Sequence, residues 1–179
     1  MSSSSNKSTC LIFVYGSLKR GFGNNRYFLS SDAEFVGPCT TADSNFDMIS
    51  LGSFPAVFRN SDDALYPPAG ELRNCRITGE VYRVDAKTLV ALDMLEGNGS
   101  FYTREQIEVD GLPQGENLCW CYLISDKGDM AFWSSEAEYS RARVRVRHNE
   151  ATNTLTWANS NNSFFNSRWS KSASDKFNV

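Results

Sequence analysis

The chain has a single histidine, His148, in 179 residues. That scarcity excludes a multi-histidine metal site, and it leaves Ser–His–Asp or Cys–His chemistry only if His148 itself serves. The five cysteines, Cys10, Cys39, Cys75, Cys119 and Cys121, are odd in number, scattered and without a C-x-x-C pair. Neither a zinc signature nor a disulfide framework follows, and a thiol redox role lacks its usual motif, so buried free thiols are expected. No segment approaches the ~18 apolar residues of a membrane span. The apolar stretch from Leu11 to Tyr15 is too short for the core of a signal peptide. Excess positive charge is also missing, with 18 Lys+Arg against 21 Asp+Glu and a formal charge of -3. Such a balance fits poorly with a general nucleic-acid or anionic-membrane binder. The expected setting is a reducing, cytoplasmic one, with neither nucleic acid nor membrane as partner.

Hydrophobic residues make up 41% of the chain and aromatics 13%, which suits one folded domain with a sizeable core. Residues 1–9 are polar and serine-rich and read as a flexible leader. Residues 10–158 read as the domain, and 159–179 as a weakly ordered polar tail. Within the domain, Cys10 to Tyr15 is an apolar, β-branched run that ends at Gly16-Ser17, the pattern of a buried strand entering a tight turn. Further strands are expected at Glu34 to Gly37 (ended by Pro38), Phe46 to Leu51, Arg76 to Val84, Phe101 to Asp110 and Asn117 to Ile124, and Gly52 to Phe58 reads as a turn leading into an apolar strand. The strands over 101–110 and 117–124 flank the turn Gly111 to Gly115 and form a hairpin. Residues 19–30 hold at most a helical turn, and 60–73 are loop.

One helix is clear, over Lys87 to Glu96. Asp85 suits its N-cap, Leu89, Leu92 and Leu95 recur at helical spacing, and Gly97 stops it. Arg141, Arg143, Arg145 and Arg147 alternate with apolar residues. They read as a solvated edge strand that resists edge pairing rather than as a nucleic-acid surface. Strands and helices do not alternate regularly, so the expected class is α+β. The expected architecture is a small, mixed, largely antiparallel β-barrel with a few helices packed at its rim.

Three segments carry chemistry. Val14-Tyr15-Gly16-Ser17-Leu18-Lys19 ends a strand in a turn whose successive N–H groups suit a carboxylate or oxyanion, and Gly16 permits close approach to the main chain. Glu96 closes the helix before Gly97. A carboxylate there faces the negative end of the helix dipole, at a cost of roughly 0.3–1 kcal/mol. That placement raises its pKa, burial would raise it further, and an upward-tuned carboxylate suits a general base. Asp93, one turn earlier, is the competing carboxylate. Third, Tyr102 and Arg104 share one side of the strand that follows. Each segment alone is commonplace: a glycine turn, a solvated glutamate, a half-exposed strand face.

Together and in order they are specific. V-Y-G-S-L-K (14–19), F-V-G-P (35–38), G-S-F-P-A-V (52–57), G-E-V-Y-R-V (79–84), L-D-M-L-E-G (92–97) and F-Y-T-R (101–104) resemble the γ-glutamyl cyclotransferase-like family, which includes the γ-glutamylamine cyclotransferases and the AIG2-like proteins of plants. The resemblance spans about residues 10–125; Ser17 stands where many relatives carry Thr, and the arginine-rich strand and tail are not covered. It implies that Tyr15, Gly16, Ser17 and Leu18 hold substrate and that Glu96 is the acid/base.

Tyr102 and Tyr122 are further expected binding residues, with Phe54, Phe58, Phe101 and Tyr122 on the side that receives the amine. In the reaction so implied, the substrate's α-amine closes on its own γ-carbonyl, releasing 5-oxoproline and an amine. It needs no serine, cysteine, histidine, metal or cofactor. The partner expected is a small γ-glutamyl substrate, nearest the γ-glutamylamine branch, and the chain is expected to be a monomer. The alternatives are a γ-glutamyl-amino-acid substrate, or a non-catalytic module that captures a carboxylate.

Overall fold

The computed structural model describes residues 8–29, 31–50, 53–60, 74–113, 115–124 and 146–158. Nine strands and two helices lie among them: β1 (Thr9–Val14), α1 (Gly23–Phe28), β2 (Glu34–Thr41), β3 (Phe46–Ser50), β4 (Pro55–Arg59), β5 (Arg76–Asp85), α2 (Ala86–Glu96), β6 (Tyr102–Asp110), β7 (Leu118–Ile124), β8 (Val146–Asn149) and β9 (Thr154–Trp157). Five strands pair in a closed circuit, β1-β7-β6-β2-β5 and back to β1. Only the β1–β7 contact in this ring is parallel, so the barrel is mixed and largely antiparallel, as the sequence predicts. β9 extends β5 in parallel and pairs with β8, while β3 and β4 form a separate hairpin tied to the start of β5 through Phe46 and Cys75.

The alternation along β1 divides the core in two. Leu11, Phe13 and Tyr15 join Cys39, Val81, Ile107, Val109, Cys119, Cys121 and Leu123, a cluster that draws on every strand of the ring. Ile12 and Val14 point to the other side and pack with Tyr82, Val84, Leu92 of α2 and Leu29 behind α1. Two buried faces explain why β1 is apolar throughout rather than alternating. Gly79 is required inside the ring, since a Cβ there would lie 2.5 Å from the ring of Phe13 and 2.6 Å from the carbonyl oxygen of Val14. All five cysteines are free; four are buried, but Cys10 is only partly so.

Several expectations need correction. β2 does not end at Pro38 but continues to Thr41. The proline is tolerated because it sits beside a bulge between Phe35 and Gly37, where β2 pairs with β5 alone; β6 joins only at Thr40 and Thr41. The polar stretch after Gly21 is a true helix, α1. On α2, Leu92 is fully buried, but Leu95 is 37% exposed. β9 was not expected from its pattern, yet Leu155 and Trp157 are core residues, and Trp157 stacks on Phe22 with ring centroids 5.2 Å apart. The loop over 61–73, Arg141 to Arg145, the leader's residues 1–7 and the tail 159–179 lie outside the described residues. Among those described, no helix is long and apolar enough to cross a membrane.

Candidate active site

β1 runs out at Val14, and the chain turns at once. The Lys19 N–H donates to the carbonyl of Gly16 at 3.0 Å, closing a tight turn over Gly16 to Lys19. α1 holds that turn from outside: Asn24 Nδ2 donates to Ser17 Oγ at 3.0 Å and Asn25 Nδ2 to the Leu18 carbonyl at 2.8 Å. Gly16 is needed because a Cβ would lie 2.8 Å from the ring of Pro55. The close approach it permits is thus to the β4 proline, a neighbour that sequence reasoning did not name. Among the described residues, nothing accepts a hydrogen bond from the backbone N–H of Gly16, Ser17 or Leu18.

Opposite the turn stands the end of α2. Asp85 caps the helix start by accepting from the Thr88 N–H at 2.9 Å. The helix ends in a left-handed Gly97 (φ 60°), with the Asn98 N–H returning to the Asp93 carbonyl at 2.9 Å. Both caps are those expected. The next loop is tied down by Asn98 Oδ1, which accepts from the Arg104 N–H at 2.8 Å, so Glu96 sits on a fixed end rather than a free one.

Between turn and helix end lies a cavity of about 370 Å³. Tyr15, Gly16, Ser17, Leu18, Glu96, Tyr102 and Tyr122 all line it, though they come from segments scattered over more than half the sequence. Phe54 and Phe101 line it too, but Phe58 does not; it is buried in the second core cluster. Asn24, Pro55, Met94 and Leu95 complete much of the wall. Of these Pro55, Met94 and Leu95 fall within recognised motifs, and Asn24 does not. Its place in the wall depends on how α1 packs, which local patterning does not carry.

The electrostatics separate the two carboxylates. Glu96 is partly buried, and burial alone pushes its pKa from 4.5 up to about 7. The expected contribution of the helix end is not needed to account for it. Asp93 is outside the wall: it accepts from Arg104 at 2.7 Å and from the Tyr122 hydroxyl at 2.7 Å, which fixes the Tyr122 ring in place. Tyr15 donates to the Tyr122 carbonyl at 2.7 Å, and Tyr102 to the Pro55 carbonyl at 3.0 Å. Burial raises all three tyrosines further above their ordinary range, so they stay neutral hydroxyls at physiological pH. Glu96 is therefore the one group of the described wall poised to gain and lose a proton near neutrality. Among the described residues no cluster of three or more His, Cys, Asp or Glu could hold a metal ion.

The fold thus sets a carboxylate of raised pKa and an amide-lined turn in one cavity. Residues 12–141 match the family described as gamma-glutamyl cyclotransferase, AIG2-like. The gamma-glutamylcyclotransferase family protein YtfP of Escherichia coli K12 is 32% identical over 112 residues, covering 63% of this chain and 80% of that one. The Troponin C-akin-1 protein of Drosophila melanogaster is 32% identical over 118 residues, covering 63% of this chain and 65% of that one. The crystal structure of an AIG2-like protein from Mus musculus superposes with a TM-score of 0.52 at 30% identity, covering 66% of this chain and 78% of that chain. The chain belongs to the gamma-glutamyl cyclotransferase, AIG2-like family.

Proposed function

We propose that this protein is a γ-glutamylamine cyclotransferase, with Glu96 as its general acid/base. The observation that carries this reading is Glu96 itself, a carboxylate raised to about 7 by burial, in the same cavity as the Gly16 to Leu18 turn. The turn's N–H groups and Asn24 receive the α-carboxylate of the γ-glutamyl group. The neutral α-amine then attacks the γ-carbonyl carbon, forming a five-membered ring, and the π pair moves onto oxygen. Glu96 accepts a proton from the attacking nitrogen and donates it to the amide nitrogen. The C–N bond breaks as the carbonyl re-forms, leaving 5-oxoproline and a free amine.

Because the nucleophile belongs to the substrate, the protein's task is to fix rotamers and move one proton. Neutral Tyr102 and Tyr122 hydroxyls, each already anchored, shape the buried end without competing for that proton. The active unit in this proposal is a monomeric domain over 10–158, and its partner is the small γ-glutamyl substrate alone.

The test is incubation with ε-linked γ-glutamyl-lysine and measurement of 5-oxoproline and lysine. Turnover should fall by about 10²–10⁴-fold in Glu96→Gln while 5-oxoproline still binds. Absence of product from the unaltered protein, with binding retained, would instead make the site a carboxylate-capturing module.

A further inference from the structure

The G-E-V-Y-R-V segment of β5 contributes no residue to the described cavity wall, yet Glu80 stands beside the substrate turn. Register places it there, since Glu80 pairs with Val14, the last residue of β1 before the chain turns. Two paths lead from its carboxylate to the turn. On one, the Arg20 N–H donates to Glu80 Oε2 at 2.9 Å. On the other, the Tyr82 hydroxyl donates to the same oxygen at 3.0 Å. Asn25 Nδ2 in turn donates to the Tyr82 hydroxyl at 3.0 Å and to the Leu18 carbonyl at 2.8 Å.

The second path has a fixed direction. Both protons of the Asn25 amide are used, the hydroxyl passes its own proton on, and the relay ends at a charged acceptor. Tyr82 is 3% exposed, and burial together with the bond to Glu80 pushes its pKa up to about 12, so it stays a donor. The Glu80 charge is offset on the spot: Arg20 Nε lies 3.6 Å from Oε1, and the Arg20 guanidinium covers the Phe35 ring at 3.6 Å. The brace therefore adds little net charge to oppose an anion at the turn. A turn already held in one geometry also loses less freedom when it takes up a ligand.

We infer that Glu80 is a positioning residue for substrate: through Arg20 on one side, and Tyr82 and Asn25 on the other, it fixes the Gly16 to Leu18 turn to receive the α-carboxylate. This rests on the cyclotransferase reading above and deepens it. Because the carboxylate is held alike before and during ring closure, the effect belongs in KM rather than kcat.

The test follows 5-oxoproline release from ε-linked γ-glutamyl-lysine by the full chain. It also measures, by calorimetry, binding of 5-oxoproline and of its carboxamide, which lacks the negative charge. Glu80→Ala should raise KM about tenfold or more and alter kcat by less than about threefold. The preference for 5-oxoproline over the carboxamide should shrink by about tenfold in the same variant, whereas general loosening of the fold weakens both ligands alike. Glu80→Gln keeps one acceptor oxygen for Arg20 and Tyr82 and should restore part of both effects. Tyr82→Phe removes a single hydroxyl and should move both in the same direction to a smaller extent, which keeps the test open if Glu80→Ala does not fold. An unchanged preference, or a fall in kcat at constant KM, overturns the inference and leaves the cyclotransferase reading intact. If γ-glutamyl-lysine gives no 5-oxoproline, that reading fails and calorimetry alone decides the role of Glu80. A preference that shrinks in the variants then sustains it, and one that persists, or is absent from the unaltered protein, refutes it.

Discussion

Replacing Glu96 by Gln should make the protein more stable and less active, and the stability gain should depend on pH in a specified direction. The carboxyl titrates at 4.5 when exposed to water and at about 7 in the fold, because burial disfavours the ionised form. Below pH 4.5 both folded and unfolded chains hold the proton, and Glu96 has no pH-dependent effect. Between the two values the folded chain binds the proton more tightly, so stability falls as pH rises. Above 7 the full penalty is present. A rise from 4.5 to about 7 corresponds to roughly 3 kcal/mol at 1.36 per pH unit. Since the side chain is only partly buried, solvent relieves some of this, and about 2 kcal/mol is the working figure. Gln does not titrate. Urea unfolding of the two proteins should therefore give matching stabilities near pH 4 and a Gln variant more stable by about 2 kcal/mol near pH 8. Titration of every other group cancels in the difference. In the unaltered enzyme kcat/KM should fall on the acid side with a midpoint near 7, as the base takes up its proton. A stability difference that is the same at both pH values would refute the assignment of burial as the cause of the shift.

Gly79→Ala should cost about 1–3 kcal/mol, or prevent folding, because its Cβ would sit 2.5 Å from the Phe13 ring and 2.6 Å from a backbone oxygen; an unchanged melting temperature would contradict this. Leu92→Ala should cost about 2–5 kcal/mol in chemical denaturation, since Leu92 is fully buried where α2 meets the barrel. Asp93→Ala removes the acceptor of both Arg104 and the Tyr122 hydroxyl, and should destabilise by about 1–3 kcal/mol. Asp93→Asn keeps an acceptor for Tyr122 and should retain more activity than Asp93→Ala; equal activities would show that the placement of Tyr122 is immaterial.

Much of this architecture was legible in the sequence because its strongest elements carry local signals. β1 and β7 are apolar runs of strand length, and α2 is bracketed by Asp85 and Gly97, both of which cap as their chemistry suggests. What escaped was set by distant partners. Residues 154–157 have two apolar side chains among threonines, and pairing with β8 and the start of β5 makes them a strand. Pro38 signals a strand end locally, but a neighbouring bulge and single-sided pairing remove the penalty. Phe58 and Phe54 are equally aromatic; β4 turns the first into the core and leaves the second at the cavity mouth. The raised pKa of Glu96 was expected for a helix end and burial together, and only the enclosing turn and tyrosines show that burial suffices.

The meeting of the turn with Glu96 follows from register and length. β5 runs antiparallel to β1, with Thr9 opposite Asp85 and Val14 opposite Glu80. β5 therefore ends beside the start of β1, far from the turn at Tyr15 to Leu18. α2 begins there and packs back across the ring through Leu92 and Leu89. Its 11 residues span roughly 16 Å, and the 6 residues of β1 span roughly 20 Å, so the helix brings its last residue to the far end of β1 and no further. The Asp85 cap fixes where this span begins and left-handed Gly97 where it stops. β6 then starts within a few residues, and its hairpin with β7 sets Arg104 opposite Tyr122, at the place where Asp93 binds both. Motifs that are weak singly are thus the end points of one set of lengths. That is why their order along the chain, rather than any one of them, carried the information about the site.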